Sequence, residues 1–497
     1  MTNTHAQWQK LADEFQPETR LLIGDSLYDS ADGARFESIN PATGDVVASI
    51  ASATADDVER AAVLAESRFR EGVWSRMPLR ERMNILYRFA DLIEENGDTF
   101  ILLDTIEMGK PVSEMQSTDL PGAVLTFRFL AEAIDKVGGS TPNTNDGFHH
   151  YIVRQPLGVV GCITPWNYPL MMAAWKVAPA LAAGNSVVLK PAEDSSLSSI
   201  LLGQLFLVAG GPPGVFNVVP GTGQVAGQAL ARSQHIHKVS FTGSTGVGRL
   251  MYKYAADSNL KKVSAELGGK SPQIILKDVG DMERCATAVV DGIFGNQGEV
   301  CAAGSRILVA NEVYEEFREA FVAASTKKYA PGDPLDPATT MGPLVNKAHQ
   351  TRVRGYIDGA VGEGAKIVLG GDVDHQFDNS CYVSPTLFAD VSPDMTIARE
   401  EIFGPVGALI RHEGIEQALS IANDSEFGLA AGIWTQNITN AHSLARDLQC
   451  GMVWINGYMN GDMTQPWGGW KQSGQGRDKC IDSLLENMQS KSVWVTL

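Results

Sequence analysis

From Tyr151 onward, short apolar runs alternate with helix-like segments, and this alternation leaves few architectures open to the chain. The runs at 158–163, 186–189, 215–219 and 239–241 are of strand length, and segments of helical spacing at 195–209, 224–232 and 245–256 separate them. Strands that are apolar on both faces and joined through helices are parallel strands in βαβ units. A second series is expected to begin near Lys262, with strands at 262–266, 272–276 and 305–309 and helices at 281–294 and 312–328. Upstream, Val58, Ala61, Ala62, Ala65 and Phe69, then Met83, Leu86, Phe89, Ala90 and Ile93, predict helices over 55–72 and 78–95. A third is expected over 120–137. Two α/β layers in one chain imply a cleft between them, where ligands usually sit. The last residues, 492–497, read as a strand with no partner nearby in sequence. They are expected to pair with another subunit, at its extended piece around 148–155, because a lone strand would expose an edge.

Composition narrows the partners. The 497 residues suit about three domains or subdomains. A net charge of −18 argues against nucleic acid and anionic membranes. Six scattered cysteines without a C-x-x-C pair fit a reduced, cytoplasmic protein and no metal site. The nine histidines contain no H-E-x-x-H, and His149 and His150 would point to opposite faces of a strand. The first twenty residues lack an apolar stretch of the signal-peptide kind, and no run reaches membrane-spanning length.

Chemistry concentrates around FGNQGEVCAAGSR at 294–306, where small residues surround Cys301. A thiol attacks well only as thiolate, so Cys301 needs a base, an oxyanion donor and a group or electron acceptor; its alternative role is that of a small buried hydrophobe. Four stretches carry suitable helpers. The segment 164–169, TPWNYP, follows a strand end, where α/β proteins bind ligands, and Asn167 offers an amide to an oxyanion or simply holds a turn. Lys190 and Glu193 follow another strand end and suit a dinucleotide ribose, or the first turn of a helix. FTGSTGVG at 241–248 is strand, glycine turn and helix start, fit for a diphosphate, although no G-x-G-x-x-G is intact; 221–223 is a weaker match. In AELGGKS at 265–271 a phosphate loop fails because position 264 is Ser, while Glu266 at a strand end reads as a general base or a loop cap.

Seven segments taken together, TPWNYP (164–169), LKPAE (189–193), FTGSTGVG (241–248), AELGGKSP (265–272), FGNQGEVCAAGSR (294–306), EEIFGP (400–405) and PWGGWKQSGQGR (466–477), resemble the aldehyde dehydrogenase superfamily in order and spacing over almost the whole chain. The resemblance implies an α/β fold of two doubly wound parallel-sheet domains, a Rossmann-like cofactor domain and a catalytic domain, with a small β oligomerisation extension. The expected spans are 1–137 and 153–267 for the cofactor domain, 268–470 for the catalytic domain, and 138–152 and 484–497 for oligomerisation as a homodimer or homotetramer. It implies Cys301 as nucleophile, Asn167 and the Cys301 amide as oxyanion donors, and Glu266 as the base that activates water. It also implies cofactor contacts from Thr164, Pro165, Trp166, Lys190, Glu193, Gly223, Gly243, Ser244, Val247, Leu267, Glu401 and Phe403. Glu193 favours NAD over NADP, because a carboxylate accepts from a ribose 2′-hydroxyl and repels a 2′-phosphate; Lys190 leaves NADP open.

The pocket expected from Tyr168, Met171, Met172, Trp175, Met459 and Trp467 is aromatic and methionine-rich, suiting an apolar or long flexible aldehyde. GDMT at 461–464 with KQSGQGRDK at 471–479 most resembles bacterial dehydrogenases for γ-glutamyl-γ-aminobutyraldehyde and 4-guanidinobutyraldehyde. The alternative is a broad-specificity aliphatic or aromatic aldehyde dehydrogenase; a non-catalytic binding or structural relative ranks lower, because Cys301, Glu266 and Asn167 are intact. A semialdehyde dehydrogenase also ranks below the broad-specificity enzyme, because neither 164–175 nor 457–467 contains Lys or Arg.

Overall fold

A computed structural model describes residues 3–371 and 380–497; residues 1, 2 and 372–379 of the expected spans lie outside it. Among the described residues, two large sheets carry the fold. The first runs, edge to edge, Ser26–Tyr28, Leu21–Ile23, Phe216–Val218, Ser186–Lys190, Val159–Ile163, Lys238–Thr242, Lys262–Glu266 and Gly474–Gln475. Its five central strands are parallel and almost wholly buried. Helices Ala55–Glu71, Leu79–Glu95, Leu120–Ala133, Pro169–Ala182 and Leu197–Val208 bury apolar faces around it. The chain steps outward from Val159–Ile163 through two strands, then returns to its other side at Lys238–Thr242. This reversal is a topological switch point, where doubly wound sheets open a ligand crevice.

The second sheet runs Lys366–Leu369, Thr386–Ala389, Val406–His412, Arg306–Ala310, Pro272–Ile275, Ala430–Trp434 and Met452–Ile455. All of its pairings are parallel except the first. Strand Lys262–Glu266 was expected to open this second series. It pairs in parallel with Lys238–Thr242 instead, so the second sheet begins at Pro272. The glycines at 268 and 269 carry the chain from one sheet to the other.

The terminal strand Met488–Thr496 pairs antiparallel with Phe148–Pro156 of its own chain over nine residue pairs. This corrects the expected pairing between subunits. Sequence separation of the partners hid a ribbon that the chain can close by itself. The expected domain boundary between 152 and 153 also falls inside the strand Phe148–Pro156. The ribbon exposes Phe148, Trp494, Val495 and Leu497, with Trp494 61% and Leu497 82% exposed.

Candidate active site

The crevice of the first sheet opens at the carboxyl ends of its strands. Residues 164–169 follow Val159–Ile163, residues 243–244 follow Lys238–Thr242, and residues 267–268 follow Lys262–Glu266. The second sheet contributes from the amino ends of its strands: Cys301 precedes Arg306–Ala310, and Glu401 and Phe403 precede Val406–His412. Both sets line one cavity of about 630 Å³.

Two glycines allow the close approach. A Cβ on Gly268 would lie 2.3 Å from a carboxylate oxygen of Glu401, and one on Gly269 would lie 2.3 Å from the Cys301 carbonyl oxygen. The Gly269 amide donates to Glu401 Oε1 at 3.0 Å. Before Cys301, Asn296 and Gln297 adopt left-handed backbone angles, φ 46° and 57°. Such strain persists only where the surroundings fix it. Here the Asn296 amide group donates to the backbone carbonyls of Asn167 and Glu299, and its own N–H donates to Glu114 Oε2 at 3.1 Å. After Cys301, the Tyr458 hydroxyl donates to the Ala302 carbonyl at 2.5 Å.

Burial keeps Cys301 a thiol, with its pKa pushed well above the ordinary range, and the carboxyls of Glu266 and Glu401 add to the shift. Glu266 is 5% exposed, and its Oε1 has no hydrogen-bond partner. Desolvation first, then Asp478, holds its pKa well above the usual carboxylate range, with Lys176 and Arg477 opposing. Burial raises Glu401 to about 7, against the Gly269 amide and the charges of Arg352 and Lys270. Asn167 is buried; its side-chain amide donates to the Glu299 carbonyl at 2.7 Å, leaving its second N–H for the cavity.

The cavity thus brings together Cys301, Glu266 and Asn167 with Pro165, Trp166, Gly243, Ser244, Leu267, Glu401 and Phe403. Tyr168, Met171, Met172, Trp175, Met459 and Trp467 line it too. Thr164, Lys190, Glu193, Gly223 and Val247 lie outside that lining. The Thr164 amide donates to the Lys190 carbonyl, the Lys190 ammonium lies 2.8 Å from Glu193 Oε2, and the Gly223 amide donates to Glu193 Oε1 at 2.7 Å. Glu193 is therefore held in place between a cation and an amide. Ser244 caps helix Thr245–Ala256 by accepting from the Val247 amide, and helix N-termini favour anions. The Thr242 hydroxyl is buried, unpartnered and on the cavity wall. A held carboxylate, a helix N-terminus and an orphaned hydroxyl suit the ribose and diphosphate of a dinucleotide.

Sequence reasoning missed several charged residues here, Arg352 on the cavity wall among them. Lys176, in the otherwise apolar helix Pro169–Ala182, forms a buried ion pair with Asp478 at 2.5 Å, and both act electrostatically on Glu266. A lone charge in an all-apolar helix was the available signal. Lys479 lines the cavity from beyond residues 164–175 and 457–467, so the pocket is not free of lysine.

Two α/β sheets whose loops converge on a half-buried thiol, an unpartnered carboxyl and an anion-receptive helix N-terminus form a cleft of the kind enzymes use. Residues 28–493 match the aldehyde dehydrogenase family profile, and the chain belongs to that family. It is 43% identical over 492 residues to the NADP/NAD-dependent aldehyde dehydrogenase PuuC of Escherichia coli K12, covering 99% of this chain and 98% of that one. Among solved structures it is similar to indole-3-acetaldehyde dehydrogenase complexed with NAD+, with TM-score 0.98 and 43% identity over the full length of both chains. It is also similar to γ-glutamyl-γ-aminobutyraldehyde dehydrogenase from Burkholderia cenocepacia, with TM-score 0.97 and 45% identity over the full length of both.

Proposed function

We propose that this chain oxidises an amine-derived aldehyde, of the γ-glutamyl-γ-aminobutyraldehyde kind, to its carboxylic acid with NAD, tolerating NADP. The observation that carries the reading is a thiol and an unpartnered buried carboxyl, Cys301 and Glu266, electrostatically coupled on one cavity wall. Glu266 takes the thiol proton, and Cys301 Sγ bonds to the aldehyde carbon. The Asn167 side-chain amide and the Cys301 backbone amide hold the resulting oxyanion, the kind of donor worth about 3–4 kcal/mol in acyl transfer. When bound, NAD supplies the acceptor for the hydride that leaves the thiohemiacetal. Glu266 then gives that proton up to solvent and takes one from the water that opens the thioester; return of this second proton to Cys301 Sγ restores the thiol as the acid is freed. A base in this position makes water, rather than coenzyme A, the acyl acceptor.

Glu193, with Lys190 and the Gly223 amide, is the proposed adenosine-ribose site, and it favours NAD because its carboxylate repels a 2′-phosphate. Trp166 and Phe403, 5.3 Å apart, with Glu401, are the proposed nicotinamide-side contacts. The likeness to γ-glutamyl-γ-aminobutyraldehyde dehydrogenase supports the substrate class. The aromatic and methionine walls and the likeness to indole-3-acetaldehyde dehydrogenase support a second reading, a broader aromatic or aliphatic range. The residues around the cleft are proposed as cofactor and catalytic domains, with the terminal ribbon an oligomer contact. Six unpaired cysteines suit a cytoplasmic setting.

The test is NADH and NADPH formation by the purified chain with γ-glutamyl-γ-aminobutyraldehyde, 4-guanidinobutyraldehyde, hexanal and benzaldehyde. An amine-derived aldehyde should lead by more than about tenfold in kcat/KM, some 1.4 kcal/mol of transition-state preference. Higher kcat/KM with NADP would overturn the role of Glu193, and a lead for benzaldehyde or hexanal would overturn the substrate class.

A further inference from the structure

Lys479 closes the substrate-side wall of the cavity in an unusual state. It is only 9% exposed. Its backbone is left-handed, φ 60°, an uncommon conformation for a residue with a side chain. Its ammonium sits 5.7 Å from the centre of the Trp175 ring and 5.8 Å from that of Trp467, and both indoles line the same cavity. Among the described residues, no hydrogen bond or ion pair reaches this ammonium. The charged or titratable groups felt nearby are Asp462, exposed at the cavity rim, and Cys480. Asp462 Oδ1 accepts from the Thr464 amide at 2.8 Å and the Thr464 hydroxyl at 2.5 Å, and its charge favours the Lys479 ammonium.

Two indole faces attract a cation but accept none of its three N–H bonds in the way an oxygen does. Lys479 lines the open cavity, so those donors are left to water or to a ligand that enters it. The matching ligand group is an anionic oxygen, whose charge-assisted hydrogen bonds are the strong ones. The remaining wall, from Met171, Trp175, Met459 and Trp467, can hold an alkyl chain between that group and the reacting carbon.

We propose that Lys479 seats a carboxylate at the far end of the aldehyde, so that the preferred substrates are aldehydes bearing a distal carboxylate, free or as part of an amino-acid head. This rests on the proposed aldehyde oxidation and adds to it a defined anchor. It also reverses the low rank of anionic substrates expected from sequence, since Lys479 lies outside residues 164–175 and 457–467. Cationic aldehydes such as 4-guanidinobutyraldehyde are disfavoured by the same charge.

The experiment compares the full-length chain with Lys479→Met and Lys479→Arg, using 6-oxohexanoate, hexanal and 6-aminohexanal, which share one chain length. Met is unbranched like Lys, so the left-handed backbone is burdened no further. In Lys479→Met the kcat/KM ratio of 6-oxohexanoate to hexanal should fall about tenfold or more, chiefly through KM, and the ratio for 6-aminohexanal should rise. Lys479→Arg should keep most of the original ratio. A ratio that moves less than about twofold in Lys479→Met, or one that falls equally in Lys479→Arg, overturns the proposal. Binding supplies an arm independent of turnover. Trp175 and Trp467 fluorescence should report adipate half-amide, with a carboxamide in place of the aldehyde, binding at least about tenfold more tightly than neutral adipamide, and Lys479→Met should abolish the difference. Equal binding of the two by the unaltered protein overturns the anchor. Failure of the unaltered protein to oxidise any aldehyde overturns the parent reading alone, and the binding arm still decides Lys479.

Discussion

Gly269→Ala places one methyl group where the two halves of the site touch. Its Cβ would lie 2.3 Å from the Cys301 carbonyl oxygen, and 3.2 Å and 3.3 Å from Leu429 side-chain carbons. Ordinary contact begins near 3.4 Å, so the two backbones must part by roughly 1 Å, because the nearest atom, the Cys301 carbonyl oxygen, is main chain and not the free end of a side chain. Overpacking of this kind costs about 1–3 kcal/mol of stability. The larger effect falls on activity. The Cys301 backbone carries the sulfur and the proposed oxyanion amide, and the Gly269 amide holds Glu401. A misplacement of about 1 Å can cost about 100-fold in rate. We therefore expect kcat to drop about 100-fold, with a smaller change in KM and a melting temperature lower by a few degrees. Gly355→Ala is the control, since its Cβ meets nothing within 4 Å on the exposed face of helix Lys347–Gly362; it should gain about 0.4–1 kcal/mol and keep full activity. The assay is steady-state NADH formation with thermal unfolding of the same samples. Wild-type kcat in Gly269→Ala would refute the close approach on which the site depends.

Lys176→Met should cost about 3–5 kcal/mol of stability by leaving Asp478 buried and unpaired, and Lys176→Met/Asp478→Leu should recover most of it in thermal or urea unfolding. Because burial holds both Cys301 and Glu266 protonated, kcat/KM should rise with pH from the ordinary carboxylate range into neutral and alkaline solution; a profile already flat at pH 5 would contradict the shifts. In Lys176→Met the rising limb should move to higher pH, because Lys176 is the first group favouring Glu266 ionisation. Deleting residues 488–497 strips one strand from the terminal ribbon, and light-scattering mass should fall if the ribbon joins subunits; an unchanged mass removes it from the interface.

Much of the architecture was legible because local physics decides it. Apolar runs bounded by glycine and proline marked the buried parallel strands, and residues such as Val58, Ala61, Ala62 and Ala65 marked a helix face that is fully buried. Pairing choices were less legible. Strand Lys262–Glu266 looks the same in sequence whichever sheet it joins, and only its register against Lys238–Thr242 decides. The ribbon of Phe148–Pro156 and Met488–Thr496 joins residues more than 300 apart, a closure no local pattern encodes. In the cleft, motif order pointed to Cys301, Glu266 and Asn167 together. Lys176, Asp478 and Lys479 escaped because their importance lies in burial: each charge is ordinary until the fold removes its water. The amino-end placement of Cys301 in the second sheet also ran against the rule that ligands meet carboxyl ends, which the first sheet alone obeys.

The central claim is that Cys301 is acylated and that Glu266 delivers the water. Glu266→Gln keeps the side chain's size and removes the base. Rapid mixing with substrate and NAD should still give up to one NADH per subunit, formed more slowly because the thiol has lost its base, then turnover slower by about 100- to 10,000-fold, with the acyl mass retained on Cys301. Full steady-state turnover without a burst, or an acyl group on any other residue, would contradict the account.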